Sequence, residues 1–187
     1  GFEGREIKCI TKLIDIKIDE LEAIIDPRVA KEKGSLLFPP RTFKLGNVAD
    51  AWSKCDYIFE GKVDSGGQEH LYIETHGAYA YPIDNGSLRI HSSTQGPTAV
   101  QKAVAKVLGI PMHRIEVDVA RLGGGFGGKE EQACGFAAML ALASHLLQKP
   151  VKISLHRMDD MRMTGKRHPY SSDFKIGLSK DLKIQAF

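Results

Sequence analysis

Residues 123–128 read Gly-Gly-Gly-Phe-Gly-Gly, followed by Lys129 and Glu130. Backbone N–H groups without flanking side chains can approach an anion closely, and a helix starting just beyond would add favourable potential. Binding of an anion or a cofactor is therefore the first chemistry this stretch suggests. The plain alternative is a flexible linker, which Phe126 and the strand-to-helix setting argue against. Two phosphate patterns fit in part. Gly123, Gly125 and Gly128 satisfy GxGxxG, but that fingerprint needs an acid at the end of the second strand. There the chain reads Leu155-His156-Arg157, with Asp159 and Asp160 arriving late. Gly123–Gly128 with Lys129 satisfies GxxxxGK, but Glu130 stands where a magnesium-holding Ser or Thr belongs, and a carboxylate there repels a triphosphate.

Other groups capable of chemistry are sparser. His70, Glu74 and His76 share strand parity, so a metal site on one face is geometrically possible; the plain reading is polar residues lining a core edge. Cys9, Cys55 and Cys134 are far apart, and with no CxxC pair the chain builds neither a zinc site nor an iron–sulfur cluster. The odd, scattered thiols fit a reduced, cytoplasmic compartment.

Several elements must position these groups. Residues 1–45 hold a strand candidate at Leu13–Ile18 and the breakers Asp26-Pro27 and Pro39-Pro40, and read as the tail of another element. Residues 46–187 are denser. Asn47 caps a short helix reaching about Lys54. Tyr57–Val63 and Leu71–Tyr81 read as strands, and Asp84-Asn85-Gly86 turns the chain into a partner strand at Leu88–Ser92. Val100, Ala103, Val104, Val107 and Leu108 share one helical face, stopped by Gly109 and Pro111. Ile115, Val117 and Val119 alternate as a strand; a helix runs from about Glu130 to Leu147; Val151–Leu155 is a further strand; and Phe174–Leu178 with Leu182–Phe187 forms a last hairpin. A chain that stops inside a strand reads as truncated. The class is α+β, a mixed sheet with packed helices.

Composition sets outer bounds. Across 187 residues, 42% are hydrophobic and 26% charged, enough to bury a core. The net charge of +3 is too balanced to point to a nucleic acid or a membrane. No signal peptide is expected, and the apolar stretch 134–147 is too short to span a bilayer.

Four blocks carry a resemblance. Arg121-Leu122-Gly-Gly-Gly-Phe-Gly-Gly-Lys129-Glu130 resembles the molybdopterin-contacting loop of the xanthine dehydrogenase and aldehyde oxidase family of molybdenum hydroxylases. Gly66-Gly67-Gln68-Glu69-His70-Leu71-Tyr72-Ile73-Glu74-Thr75-His76 is similar to the family segment that leads a glutamine toward the molybdenum. Ser92-Ser93-Thr94-Gln95 and Arg157–Pro169 match two further blocks, in the family's order, over about residues 60–187.

The resemblance implies that residues 46–187 are the N-terminal part of a molybdopterin-binding domain, and that 1–45 are the exit of a preceding hammerhead-like domain. It implies that Gln68 meets the metal's oxygen ligand, that Phe126 contacts the cofactor through its main chain between Gly125 and Gly127, and that Glu130 binds a purine or related N-heterocycle. It implies a molybdenum–molybdopterin cofactor, with iron–sulfur clusters and FAD on other domains or subunits, and hydroxylation with water-derived oxygen. The remainder of the molybdenum subunit is the implied partner, no catalytic residue falls within this stretch, and the chain alone is expected to be inactive. Where the family reads Lys-Glu-Thr-Arg, this chain reads Lys129-Glu130-Glu131-Gln132, adding a negative charge beside the key acid. The alternatives are a glycine-loop nucleotide-binding module and a non-catalytic interaction fragment.

Overall fold

The computed structural model describes residues 12–187; Cys9 therefore lies outside the described residues. Contacts divide the chain into two units, one holding residues up to Glu60 together with Lys175–Phe187, the other holding Gly61–Phe174.

The second unit carries the sheet that positions the glycine loop. Strands β2 (Gly77–Ile83), β3 (Ser87–Ser92), β4 (Ile115–Asp118) and β5 (Val151–Ser154) lie in the order β4-β3-β2-β5. Asn85 and Gly86, both at positive φ, close the β2–β3 hairpin, as an Asn-Gly pair does at least cost. Helix α3 (Pro97–Leu108) carries the chain from β3 to the parallel β4, with Pro97 at its start and Gly109 as a left-handed cap. Helix α4 (Gln132–Leu147) leads to β5, which pairs antiparallel with β2. Ala78, Ala80, Leu88, Ile90 and Ile115 on one sheet face pack against Val100, Val104, Ala137 and Ala141 of the two helices. The small alanines bring α4 close to the sheet, and the whole is the α+β mixed sheet with packed helices that the alternation implied. The short helix α5 (Arg157–Met163) follows β5.

In the first unit, α1 (Pro27–Glu32) is capped by Asp26 and α2 (Val48–Trp52) by Asn47. Strands β1 (Tyr57–Ser65), β6 (Tyr170–Leu178) and β7 (Ile184–Ala186) form a sheet in the order β1-β6-β7, with the division between units falling inside β1 and inside β6. A Cβ on Gly177 would lie 2.3 Å from Cys55 Sγ, so glycine is required where the two meet.

Three sequence expectations need correction. Leu13–Ile18 is not a strand: Leu13 is 85% exposed, and no partner strand meets the segment among the described residues, without which an extended run has nowhere to bond. The strand expected from Leu71 begins at Gly77, because residues 70–76 follow an irregular path with Leu71 at φ 48°. The helix expected from Glu130 begins at Gln132, with Glu131 at its cap position. Among the described residues no helix is long and apolar enough to cross a membrane.

Helix α4 contains no Asp, Glu, Lys or Arg, and Met139, Leu142 and Leu146 are exposed on its outer side. A helix apolar all round is ordinarily covered on both faces. Replacing Met139 with Glu and Leu142 with Lys is therefore expected to cut binding of a hydrophobic dye to the chain while changing its stability by no more than about 0.5 kcal/mol. A loss above about 2 kcal/mol in urea titration would mean that this face serves the chain's own core.

Candidate functional site

The glycine loop lies between β4 and α4, and Phe126 is its conspicuous residue. It sits at φ 52°, a region a bulky side chain enters only when its surroundings impose it, and its side chain is 74% exposed. Phe126 lines two cavities. One, of about 260 Å³, is bounded by Gln68, Glu69, His70 and Arg167. The other, of about 630 Å³, is bounded by His70, Gly127, Glu130, Glu131, Lys166 and His168 among others. The structure thus gathers Gln68, Phe126, Gly127 and Glu130 around two cavities that share Phe126, His70 and Arg167. Gly125 lines neither; it packs on Gln95.

Arg167 and Gln68 exchange backbone hydrogen bonds (3.3 and 2.9 Å), which pins the Gln68 segment to the chain after α5. Lys166 Nζ lies 2.7 Å from Glu69 Oε2. Burial alone would raise the Glu69 carboxyl, but Lys166 and the amides of Leu71 and His70 outweigh it and hold the group below its ordinary value. His70 Nδ1 is buried without a hydrogen-bond partner.

The loop's N–H groups are largely claimed from inside the chain. Gly123 N donates to Glu74 Oε2 (2.8 Å), Gly127 N and Lys129 N to Gln95 Oε1 (3.1 and 3.2 Å), and Gly128 N to Gly125 O (2.7 Å). A Cβ on Gly123 would lie 2.4 Å from Glu74 Cβ, and one on Gly125 2.4 Å from Gln95 Cδ, so both glycines serve close packing. The amides of Gly123, Gly127, Gly128 and Lys129 are thus spent on the chain's own acceptors rather than left to cradle an anion.

Lys129 is fully buried, with Nζ donating to Glu74 O (2.7 Å), Glu74 Oε2 (3.0 Å) and Ser93 Oγ (2.7 Å), and cannot serve a phosphate as a P-loop lysine does. Nor are β4 and β5 neighbours, as the adjacent parallel strands of a dinucleotide fold must be.

Behind the loop is a second buried network. Asp160 accepts from Tyr72 Oη (2.7 Å), from the His76 amide and from Thr164 Oγ1 (3.4 Å), and lies 3.1 Å from His76 Nδ1. Tyr72 gives its proton to Asp160, so both groups beside Nδ1 act as acceptors and the neutral imidazole carries its proton there. Burial, first of all, lowers the His76 pKa despite Asp160. Burial also raises the Tyr72 hydroxyl, with Asp160 adding to the effect.

His70, Glu74 and His76 do not converge: Glu74 binds Lys129, His76 binds Asp160 and His70 faces the cavities. Among the described residues no group of three or more His, Cys, Asp or Glu is placed to hold a metal ion. Sequence reasoning gives Gln95 and Asp160 no role and offers Glu74 only as a candidate metal ligand. All three stand in matched blocks, which is the one signal that could have found them.

A model of the molybdopterin cofactor-binding domain matches residues 30–187. The chain is 42% identical over 179 residues to a xanthine dehydrogenase of Drosophila subobscura, covering 94% of this chain and 13% of that protein. It thus spans about an eighth of that relative's length. Among solved structures it resembles the aldehyde oxidoreductase of Desulfovibrio gigas (TM-score 0.67, 27% identity, 72% of this chain and 15% of that one). It shares its fold with quinoline 2-oxidoreductase from Pseudomonas putida 86 (TM-score 0.77, 23% identity, 95% and 24%). With the family model matched across most of its length, this chain belongs to the molybdopterin cofactor-binding domain family.

Proposed function

We propose that the chain forms one wall of the metal site in a molybdenum-dependent hydroxylase, and that the intact protein hydroxylates a purine or a related N-heterocycle with oxygen derived from water. Phe126 is the observation that carries the reading: a strained, exposed aromatic stands where two cavities meet. The residues fit a planar group with a hydrogen-bonding rim. A Cβ on Gly127 would meet open space, so the backbone there is approachable, and the orphaned His70 Nδ1 lies on the same wall. The relatives named xanthine dehydrogenase support the purine, since xanthine is one, and the acid at position 130 agrees.

When bound, molybdenum–molybdopterin supplies the oxygen-transfer and electron-accepting chemistry. Phe126 presents its main chain to the cofactor between Gly125 and Gly127, and its ring keeps water from the shared wall. Glu130 shares a proton with a ring nitrogen of the heterocycle and stabilises charge that develops there.

Two glutamines are candidates for the amide that faces the metal. Gln68 lines the smaller cavity. Gln95 spends its Oε1 on two loop N–H groups, which leaves its amide nitrogen to donate, and this direct bond to the loop favours Gln95. No residue here acts as catalytic base. That role belongs to the remainder of the molybdenum subunit, and the iron–sulfur clusters and FAD to other domains or subunits. The free thiols of Cys55 and Cys134 suit the cytoplasm.

In the intact protein, Gln95→Ala is expected to lower N-heterocycle turnover about tenfold or more, with Gln68→Ala within about threefold of the parent. The reverse order would assign the amide to Gln68. Glu130→Gln should lower kcat/KM for a purine about a hundredfold and for an aldehyde far less. The 187-residue chain alone should turn over nothing. Purified intact protein without molybdenum would sink the reading, and molybdenum without N-heterocycle turnover would sink its purine part.

A further inference from the structure

We infer that Glu74 and Lys129 form a clasp that fixes both ends of the glycine loop, and that they are positioning residues for the main chain around Phe126. The clasp is a property of this chain; its consequence for the cofactor rests on the function proposed above.

A single oxygen, Glu74 Oε2, accepts from Gly123 N (2.8 Å), Ser93 Oγ (2.7 Å) and Lys129 Nζ (3.0 Å). Gly123 and Lys129 are the first and last residues of the loop, so one carboxylate holds both. The three donors of the lysine ammonium are all spent, on Glu74 O, Glu74 Oε2 and Ser93 Oγ, and the Tyr72 ring covers it at 4.5 Å from the ring centroid. The Ser93 hydroxyl closes the cycle, accepting from Lys129 and donating to Glu74.

A buried ammonium is tolerated only with such complete pairing. Lys129 therefore directs its charge inward, onto loop geometry, and has no donor left for a ligand. Inside the clasp, Gln95 Oε1 fixes Gly127 N and Lys129 N, and Phe126 is left projecting with its backbone at positive φ. If Lys129 merely filled space, methionine, of similar length and without charge, would serve as well. The clasp requires that it does not.

The test is amide hydrogen exchange on the intact protein, for the parent and for Lys129→Met and Glu74→Gln. The expected result is exchange at Gly123, Gly127 and Lys129 at least about tenfold faster in both variants, with the amides of α3 and α4 within about twofold of the parent. Unchanged loop exchange in both variants would overturn the clasp. So would uniform acceleration across loop and helices, which marks a general loss of stability. Molybdenum content of the intact enzyme is the second readout and should fall in the same variants. Fast loop exchange with full molybdenum content would uphold the clasp and overturn the assignment of residues 123–129 as the cofactor-contacting loop.

Discussion

Asp160→Ala is expected to destabilise the chain by about 3–5 kcal/mol, among the largest effects of any single substitution. Its carboxylate is fully buried and satisfies Tyr72 Oη, the His76 amide and the His76 ring at once. Alanine leaves the His76 amide and the Tyr72 hydroxyl proton without their acceptor, the His76 ring keeping only Tyr72 Oη at 2.9 Å, and each orphaned group costs about 1–3 kcal/mol. Thr164 Oγ1 keeps its bond to the Asp160 carbonyl, so α5 should retain its last turn. Urea titration measures the loss; a change under about 1 kcal/mol would show that the network contributes little.

The same network sets a pH dependence with a definite sign. Burial by itself raises the Asp160 carboxyl, but the His76 amide, the Tyr72 hydroxyl and the His76 ring outweigh it and hold the group below the ordinary 3.8. Its stabilisation is complete above that value and is lost as pH falls through the lower folded-state value. His76 adds an earlier window. Its folded-state pKa lies below 6.5, chiefly through burial, so the unfolded chain takes up the proton first. Stability should therefore begin to decline as pH drops through the unfolded-state value of 6.5 and go on declining until the lower folded-state value is passed, and His76→Phe, which cannot titrate, should flatten that slope. An identical slope in the variant would remove His76 from the account.

Gly123→Ala is expected to cost about 1–3 kcal/mol through overpacking. The new Cβ would lie 2.4 Å from Glu74 Cβ, and neither atom belongs to the far end of a flexible side chain. Backbone must move, and it carries with it the Gly123 N–H that Glu74 Oε2 accepts. Gly127→Ala is the control: a Cβ there meets nothing within 4 Å, and the cost is only the strain of φ 86°, about 1 kcal/mol. Urea midpoints for the two variants should separate accordingly. A Gly127→Ala variant less stable than Gly123→Ala would show that loop conformation, not its packing on Glu74, is what glycine serves here.

Much of the fold was legible in contiguous residues. The apolar spacing of Val100, Val104 and Leu108 with Gly109 beyond them specified α3, and Asp84-Asn85-Gly86 specified the β2–β3 turn. Leu13–Ile18 misled because its pattern is that of a strand while the described residues offer it no neighbour. Gln68 and Glu130 were singled out, and the structure places both on cavities walled by Phe126. Gln95 has no role legible in sequence, because nothing local announces that a glutamine three residues past the end of β3 will reach two amides 32 and 34 residues ahead.

The sequence by itself determined α2, α3 and α4, the hairpin, the strands of the four-stranded sheet to within a few residues except at the start of β2, and the presence of an exceptional glycine loop, while the short helices α1 and α5 carried no such signal. Periodicity, caps and turn residues act over a few neighbouring positions. Only the tertiary structure decided what the loop's groups are bonded to. Glu74 meets Gly123 across 49 residues and Asp160 meets His76 across 84, pairings that depend on how β2, β3 and the segments beside them are stacked. A lysine whose sequence setting matches a phosphate-binding pattern only in part is thus an interior clasp, because burial and three fixed acceptors, two on Glu74 and one on Ser93, both distant in the chain, determine where its charge is used.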